Sequence, residues 1–300
     1  MDLNIKNELS GKIIKAIGGL YFVETPEGIL ECKARGIFRK QDISPCAGDN
    51  VIINIDNEAI ITQICERKNS IIRPPLANLD QLIFVISTCE PSPNYTIVDK
   101  FIAISEYKGI EPIVVITKND VEKSNEIQDI YEEVGIKVLT MDYTNNEGCD
   151  ELYDLLENKI SAFTGNSGVG KSTLLNNIDS SFSIETNEIS KKLGRGKHTT
   201  RQVELYKLKN GGYIADTPGF STFDTNRYDV ILKEQLSSCF REFSEFEGKC
   251  RFQDCSHTKE NGCAIIEAMN NGLISKSRHN SYVIMFEEAK QIKEWEIRSK

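Results

Sequence analysis

No run of this 300-residue chain approaches the roughly twenty consecutive apolar residues that span a bilayer, so a membrane-crossing helix is excluded and no membrane partner is expected. The opening residues lack a secretory pattern, and the cysteine total is odd at nine. Both argue against a disulfide framework and predict a cytoplasmic, reducing location. Cys32, Cys46, Cys65, Cys89, Cys149 and Cys239 are scattered singly and read as small core residues. Basic charge is short as well: 36 Lys and Arg against 45 Asp and Glu leave a formal net charge of −9. Phosphate neutralisation supplies much of a nucleic-acid binder's affinity, so a uniformly basic binding surface is excluded. Contact with RNA would rest on local clusters: Lys33, Arg35, Arg39 and Lys40, or Lys191, Lys192, Arg195, Lys197 and Arg201, each equally readable as solvated surface. Hydrophobic residues still make up 39% of the chain, compatible with folded cores in two or three domains.

What is present is a phosphate loop. Gly165, Asn166, Ser167, Gly168, Val169, Gly170, Lys171 and Ser172 complete the pattern G-x-x-x-x-G-K-S, with Thr173 directly after it. Glycines let successive backbone N–H groups converge on phosphate oxygens, and a following helix adds the positive end of its dipole. Lys171 then reaches the β- and γ-phosphates and Ser172 offers its hydroxyl to Mg²⁺. The strand-like run Ile160–Thr164 before the loop and the helical spacing from Thr173 to Ile178 after it supply the required context.

Downstream, Asp216-Thr217-Pro218-Gly219 follows the strand-like Gly212–Ala215 and matches the D-x-x-G element of GTPases. Asp216 would hold Mg²⁺ through water, and the Gly219 N–H would sense the γ-phosphate. Between the two motifs lies the basic, glycine-interrupted segment Lys191–Arg201, whose composition suits a switch loop. Thr200 is favoured as the threonine that closes over Mg²⁺, with Thr199 as the alternative. Upstream of the phosphate loop stands Thr117-Lys118-Asn119-Asp120, of the guanine-recognition type [NT]-K-x-D. A carboxylate at Asp120 would accept from guanine N1–H and the exocyclic amine, donors that adenine lacks there, while the Lys118 stem lies over the ring. By itself this tetrapeptide reads equally as a polar turn. An ordinary GTPase carries it after the phosphate loop, so the order is permuted, which a parallel sheet with neighbouring ends tolerates.

Near the carboxyl end, Cys250-x4-Cys255-x-His257-x5-Cys263 gathers four ligands suited to one closed, tetrahedral structural Zn²⁺; buried or redox cysteines are the alternative. Residues 1–70 show short strand patterns broken by turns, as in a small β-barrel. From 71 to 225 strands and helices alternate, and from 226 to 300 the pattern is mainly helical. Val283, Phe286, Ala289, Ile292 and Trp295 form a stripe that reads as a packed face, with a partner site as the second reading.

Taken with Gly36–Lys40, Ala47–Val51 and Ile72–Pro75, these motifs resemble the circularly permuted bacterial GTPases of the ribosome small subunit-dependent family (RsgA, also called YjeQ or YloQ). The resemblance implies an N-terminal OB-fold that binds RNA over 1–70, a permuted α/β P-loop GTPase domain over 71–225 and a zinc-binding C-terminal domain over 226–300. It implies GTP and GDP as ligands with Mg²⁺, the small (30S) ribosomal subunit and its rRNA as partners of a monomer, and ribosome-stimulated hydrolysis during late subunit maturation. The competing reading is an RNA-binding assembly factor that holds GTP with negligible turnover; a general ATPase is weaker still. In the family the base-side element falls near Val138–Met141, where Met141 replaces a small polar residue, so neither Thr140 nor Met141 is assigned. After Gly219 comes Phe220 rather than a water-positioning glutamine. His198 is the candidate for orienting that water. The alternatives are a solvated loop histidine and a group supplied by the ribosome.

Overall fold

The computed structural model of the chain describes residues 8–40, 43–72, 75–143, 145, 148–179, 203–216 and 230–292. They divide into two compact units, Met1–Gln81 with Glu151–Phe163 and Ser172–Phe220, and Leu82–Asp150 with Thr164–Lys171 and Ser221–Lys300. Among the described residues no helix is long and apolar enough to cross a membrane.

The first unit opens with five strands, as the short strand patterns of a small β-barrel predict: β1 (Glu8–Ile17), β2 (Leu20–Thr25), β3 (Gly28–Ala34), β4 (Asn50–Ile55) and β5 (Ala59–Ile64). β1 pairs with β2 and β2 with β3, β3 runs parallel to β5, β5 pairs with β4, and β4 returns to β1, which closes a barrel. β1 serves β4 and β2 over successive stretches. Glu8–Lys12 pairs with β4 and Lys12–Ile17 with β2, with Gly11 at the junction, where a Cβ would lie 2.6 Å from the Glu24 carbonyl oxygen. Alternate side chains face inward, so Ile13, Val23, Cys32, Val51, Ile53 and Ile61 form the barrel core with Phe38. Asp49, fully buried, is held by Arg67 through both carboxylate oxygens at 2.7 and 2.8 Å, which fixes the loop into β4. A two-residue ladder, β6 (Ser70–Ile71) with β7 (Leu76–Ala77), follows.

The same unit holds most of β11 (Ile160–Thr164), with β12 (Glu204–Lys207) and β13 (Tyr213–Asp216). β11 is parallel to β13, β13 antiparallel to β12, and β12 meets β1 at Lys15–Glu204, where the two side chains form an ion pair at 2.5 Å.

In the second unit β8 (Gln81–Ser87, from Leu82 on), β9 (Glu111–Thr117) and β10 (Lys137–Thr140) lie in the order β10-β9-β8. β8 and nearly all of β9 are buried, the near-continuous apolar run of a sheet covered on both faces. Helix Tyr95–Lys108 starts at Asn94, whose side chain accepts from the Ile97 N–H, and stops at Gly109 in the left-handed region. The expected helical C-terminal region comprises helices Lys233–Leu236, Ala264–Asn270 and Lys276–Ala289 with short 3-10 turns. Its core gathers Ile104, Phe240, Phe243, Ile265, Tyr282 and Phe286. Phe286 and Ala289 are buried and Val283 packs against this core, as the stripe predicts; Trp295 lies outside the described residues. Of the six scattered cysteines, Cys32, Cys46, Cys149 and Cys239 are buried. Cys65 and Cys89 are a correction, for both are only half-buried, Cys65 directly after β5 and Cys89 in the bend after Ser87, rather than in a core.

Candidate nucleotide and metal sites

β11 is buried along its whole length and delivers the chain into the phosphate loop. Gly165 has φ 142°, and a Cβ there would stand 2.2 Å from the Val85 carbonyl oxygen, so no other residue fits the turn. Helix Lys171–Ile178 begins where the pattern places it. Val169 is buried, Asn166, Gly170, Ser172 and Thr173 are half-buried, and Ser167 and Gly168 are exposed. Lys171 Nζ donates to the carbonyls of Gly165 and, at 2.7 Å, Asn166, so the ammonium is folded over the loop that would hold phosphates. Burial pulls its pKa down to about 8.

The sheet brings the guanine-type element to the same loop. Thr117 ends β9 fully buried, and its hydroxyl donates to the Val169 carbonyl at 2.6 Å, with the Ile86 carbonyl at 3.2 Å. Lys118 takes the unusual φ of 60°, fixed because Thr88 donates to the Thr117 carbonyl from its N–H (3.1 Å) and to the Lys118 carbonyl from its hydroxyl (3.0 Å). Lys118 Nζ donates to the Glu90 carbonyl. Asn119 accepts from the Ser124 N–H at 3.2 Å and turns the chain, leaving Asp120 exposed. Beside β9, β10 ends at Thr140, and the Met141 N–H donates to Ile116 at 2.8 Å. Asp216 closes β13, the parallel neighbour of β11. His198, Thr199, Thr200, Gly219 and Phe220 lie outside the described residues.

Cys250, Cys255, His257 and Cys263 do converge, with their ligand atoms all within 4.8 Å of one another. Cys250 Sγ lies 3.5 Å from His257 Nδ1 and 3.9 Å from Cys263 Sγ, and Cys263 Sγ is 3.4 Å from His257 Nδ1. A tetrahedron with Zn–S bonds near 2.3 Å has sulfur–sulfur edges of about 3.8 Å, so three thiols and one imidazole at these separations fit the ion. His257 holds φ 57°, and partners missed by spacing arguments support it. The His279 ring donates from Nε2 to the His257 carbonyl at 2.8 Å, and the Tyr282 hydroxyl to the Ser256 carbonyl at 2.9 Å. Glu260 accepts from the N–H groups of Ser256, Thr258 and Lys259 at 3.0–3.1 Å. Burial works to raise its pKa, but hydrogen bonds from Ser256 and the backbone outweigh it and hold the carboxyl at about 2. These are the outer contacts by which a metal loop is usually oriented.

Comparison with known proteins identifies the family. The family model for the RsgA GTPase matches residues 64–226, and that for the RsgA N-terminal domain matches residues 10–61. The small ribosomal subunit biogenesis GTPase RsgA of Caldanaerobacter subterraneus subsp. tengcongensis is 44% identical over 288 residues, covering 94% of this chain and 96% of the relative. Its namesake from Bacillus anthracis is 42% identical over 291 residues, covering 94% and 98%. Among solved structures, YjeQ from Thermotoga maritima superposes with a TM-score of 0.80 at 32% identity, covering 95% of this chain and all of that one. YloQ, described as a circularly permuted GTPase, gives 0.76 at 31%, covering 98% and 99%. With both family models matched in chain order and relatives this similar along nearly its whole length, the chain belongs to the RsgA GTPase family.

Proposed function

We propose that this GTPase binds GTP and GDP between its phosphate loop and Thr117–Asp120, and that it acts on the small ribosomal subunit late in that particle's maturation. The observation that carries the nucleotide reading is the Thr117 hydroxyl on the Val169 carbonyl at 2.6 Å, which ties a base-type element to a phosphate loop that follows it in sequence. Backbone N–H groups of 166–171 and the Lys171 ammonium hold the phosphates, and Asp120 selects guanine. Mg²⁺, held by Ser172 and through water by Asp216, neutralises charge that develops on the phosphates. Thr200, with Thr199 as the alternative, closes over the γ-phosphate, Gly219 senses it, and His198 orients the attacking water because Phe220 has no polar group to do so. Cys250, Cys255, His257 and Cys263 hold one structural Zn²⁺.

The subunit reading is supported by the name the curated relatives bear, small ribosomal subunit biogenesis GTPase. On this reading the chain is a cytoplasmic monomer of three parts, 1–70, 71–225 and 226–300. The five-strand barrel is of the OB type and contacts rRNA, through local basic residues because the whole chain carries −9. The test is single-turnover GTP hydrolysis with and without purified small subunits, beside nucleotide affinity. Slow intrinsic turnover, strong stimulation by the subunit, and loss of most of that stimulation in His198→Ala with GTP binding retained are expected. Tight GTP binding with no turnover in either condition would favour a factor that uses GTP purely as a ligand.

A further inference from the structure

Helix Lys276–Ala289 carries a charged residue where its packed stripe requires an apolar one. Arg278 is 1% exposed, and its guanidinium donates to Asp99 Oδ1 at 2.7 Å and to both Glu242 oxygens at 2.8 and 3.0 Å. The guanidinium also lies over the Phe240 ring at 4.7 Å. Asp99 and Tyr131 are both buried beside it, with the guanidinium 6.0 Å from the Tyr131 ring centroid. A buried ionic network is a poor source of stability compared with an apolar core, and its best-attested use is to fix one arrangement of the elements it joins.

What it joins is specific. One residue along the helix, His279 donates to the His257 carbonyl, and one turn on, Tyr282 donates to the Ser256 carbonyl, both in the metal-binding loop. On the other side, Asp99 lies one turn into helix Tyr95–Lys108, capped by Asn94. The segment leading into that cap touches the nucleotide elements: Thr88 bonds Thr117 and Lys118, and the Glu90 carbonyl accepts from Lys118 Nζ. Pro91, Asn94, Asn166 and Val169 share a hollow beside the phosphate loop. The Lys118–Glu90 contact thus lies between the guanine-type element and the segment that leads into helix Tyr95–Lys108.

We propose that Arg278 is a positioning residue that couples the metal-binding loop to the nucleotide loops, so that metal and guanine nucleotide each tighten binding of the other. The inference rests on the zinc and guanine readings of these two sites. Such coupling is reciprocal for equilibrium affinities. The experiment uses the full chain, with bound metal counted by elemental analysis, zinc affinity from competition with a chromogenic chelator with and without saturating GDP, and GDP affinity from a fluorescent guanine nucleotide. Zinc affinity should rise roughly five- to tenfold with GDP in the wild type, at the low end of measured couplings. Arg278→Met should bring that ratio to about one, with rescue towards the wild-type ratio in Arg278→Lys. Should Arg278→Met fail to fold, Asp99→Asn removes the charge while keeping an acceptor, and should lower the ratio in the same direction. Lys100→Met breaks the more exposed 2.7 Å ion pair to Glu288 between the same two helices and should leave the ratio intact. If zinc and GDP both bind yet zinc affinity ignores GDP in the wild type, or Lys100→Met removes the coupling as fully as Arg278→Met, the inference is wrong. Absence of copurified metal would remove the zinc reading and the inference with it; absence of GDP binding would do the same for the guanine reading.

Discussion

Raising the pH should weaken GDP binding well before a lysine of ordinary pKa would lose its charge. Lys171 is held against the Gly165 and Asn166 carbonyls, and burial lowers its pKa from the ordinary 10.5 to about 8. Phosphate oxygens favour the charged form, so the ammonium must be present for productive binding. With a pKa of about 8, the charged fraction falls from about 0.97 at pH 6.5 to about 0.24 at pH 8.5, which makes the apparent Kd for GDP about fourfold larger. Stability moves the other way. The folded pKa lies below the unfolded one, so the unfolded chain holds more protons between about pH 8 and 10.5, and this site's contribution to stability rises with pH across that window. Below pH 8 the buried ammonium costs the fold about 3 kcal/mol, at roughly 1.4 kcal/mol per pH unit of displacement, and bound phosphates offset that cost. The assay is titration of a fluorescent GDP analogue at about half-unit steps from pH 6.5 to 8.5, with Lys171→Arg as the reference because a guanidinium does not titrate there. A flat wild-type profile, or an equal fourfold fall in the arginine variant, would refute the assignment of the slope to Lys171.

Thr117→Val keeps shape but leaves the Val169 carbonyl without its donor in a fully buried position, so denaturant unfolding should show a loss of about 1–3 kcal/mol and GDP affinity should fall with it. Asp120→Asn exchanges a carboxylate that accepts two donors for an amide that accepts one, and the preference for GTP over ATP in competition should drop roughly 10- to 100-fold; unchanged selectivity would remove Asp120 from base recognition. Stripping metal with a strong chelator should release about one zinc per chain and lower the Tm of the C-terminal region by roughly 10 °C or more, because site formation contributes directly to folding. Chelation that leaves the melting curve untouched would count against a structural ion.

How much of this was legible in the sequence depended on how local each feature is. The phosphate loop and the Cys/His ligands could be read because their geometry is set over a few residues: Gly165 is fixed by its own φ, and the four metal ligands span 250–263. The barrel strands were visible through alternation, although the closure of β4 onto β1 was not, since no periodicity encodes which strands meet. Thr117 was recognised by its motif, whereas its bond to Val169 joins residues 52 apart and leaves no trace in spacing.

At Arg278 residue type and position in the helix point in opposite directions. Residue type predicts an exposed arginine, because guanidinium groups are seldom fully buried unless paired. Yet Arg278, Tyr282, Met285 and Ala289 fall at i, i+4, i+7 and i+11, one continuous stripe, and all four are buried. A charged residue in register with an apolar stripe must find its counter-charge inside the protein, and here the search ends on Asp99, 179 residues away. The stripe could therefore have marked Arg278 as paired and buried from the sequence alone, while the identity of its partner required the fold. That partner sits one turn into the helix that follows the Lys118–Glu90 contact, so the same buried charge that interrupts the pattern is also the one placed to join the metal loop to the nucleotide loops.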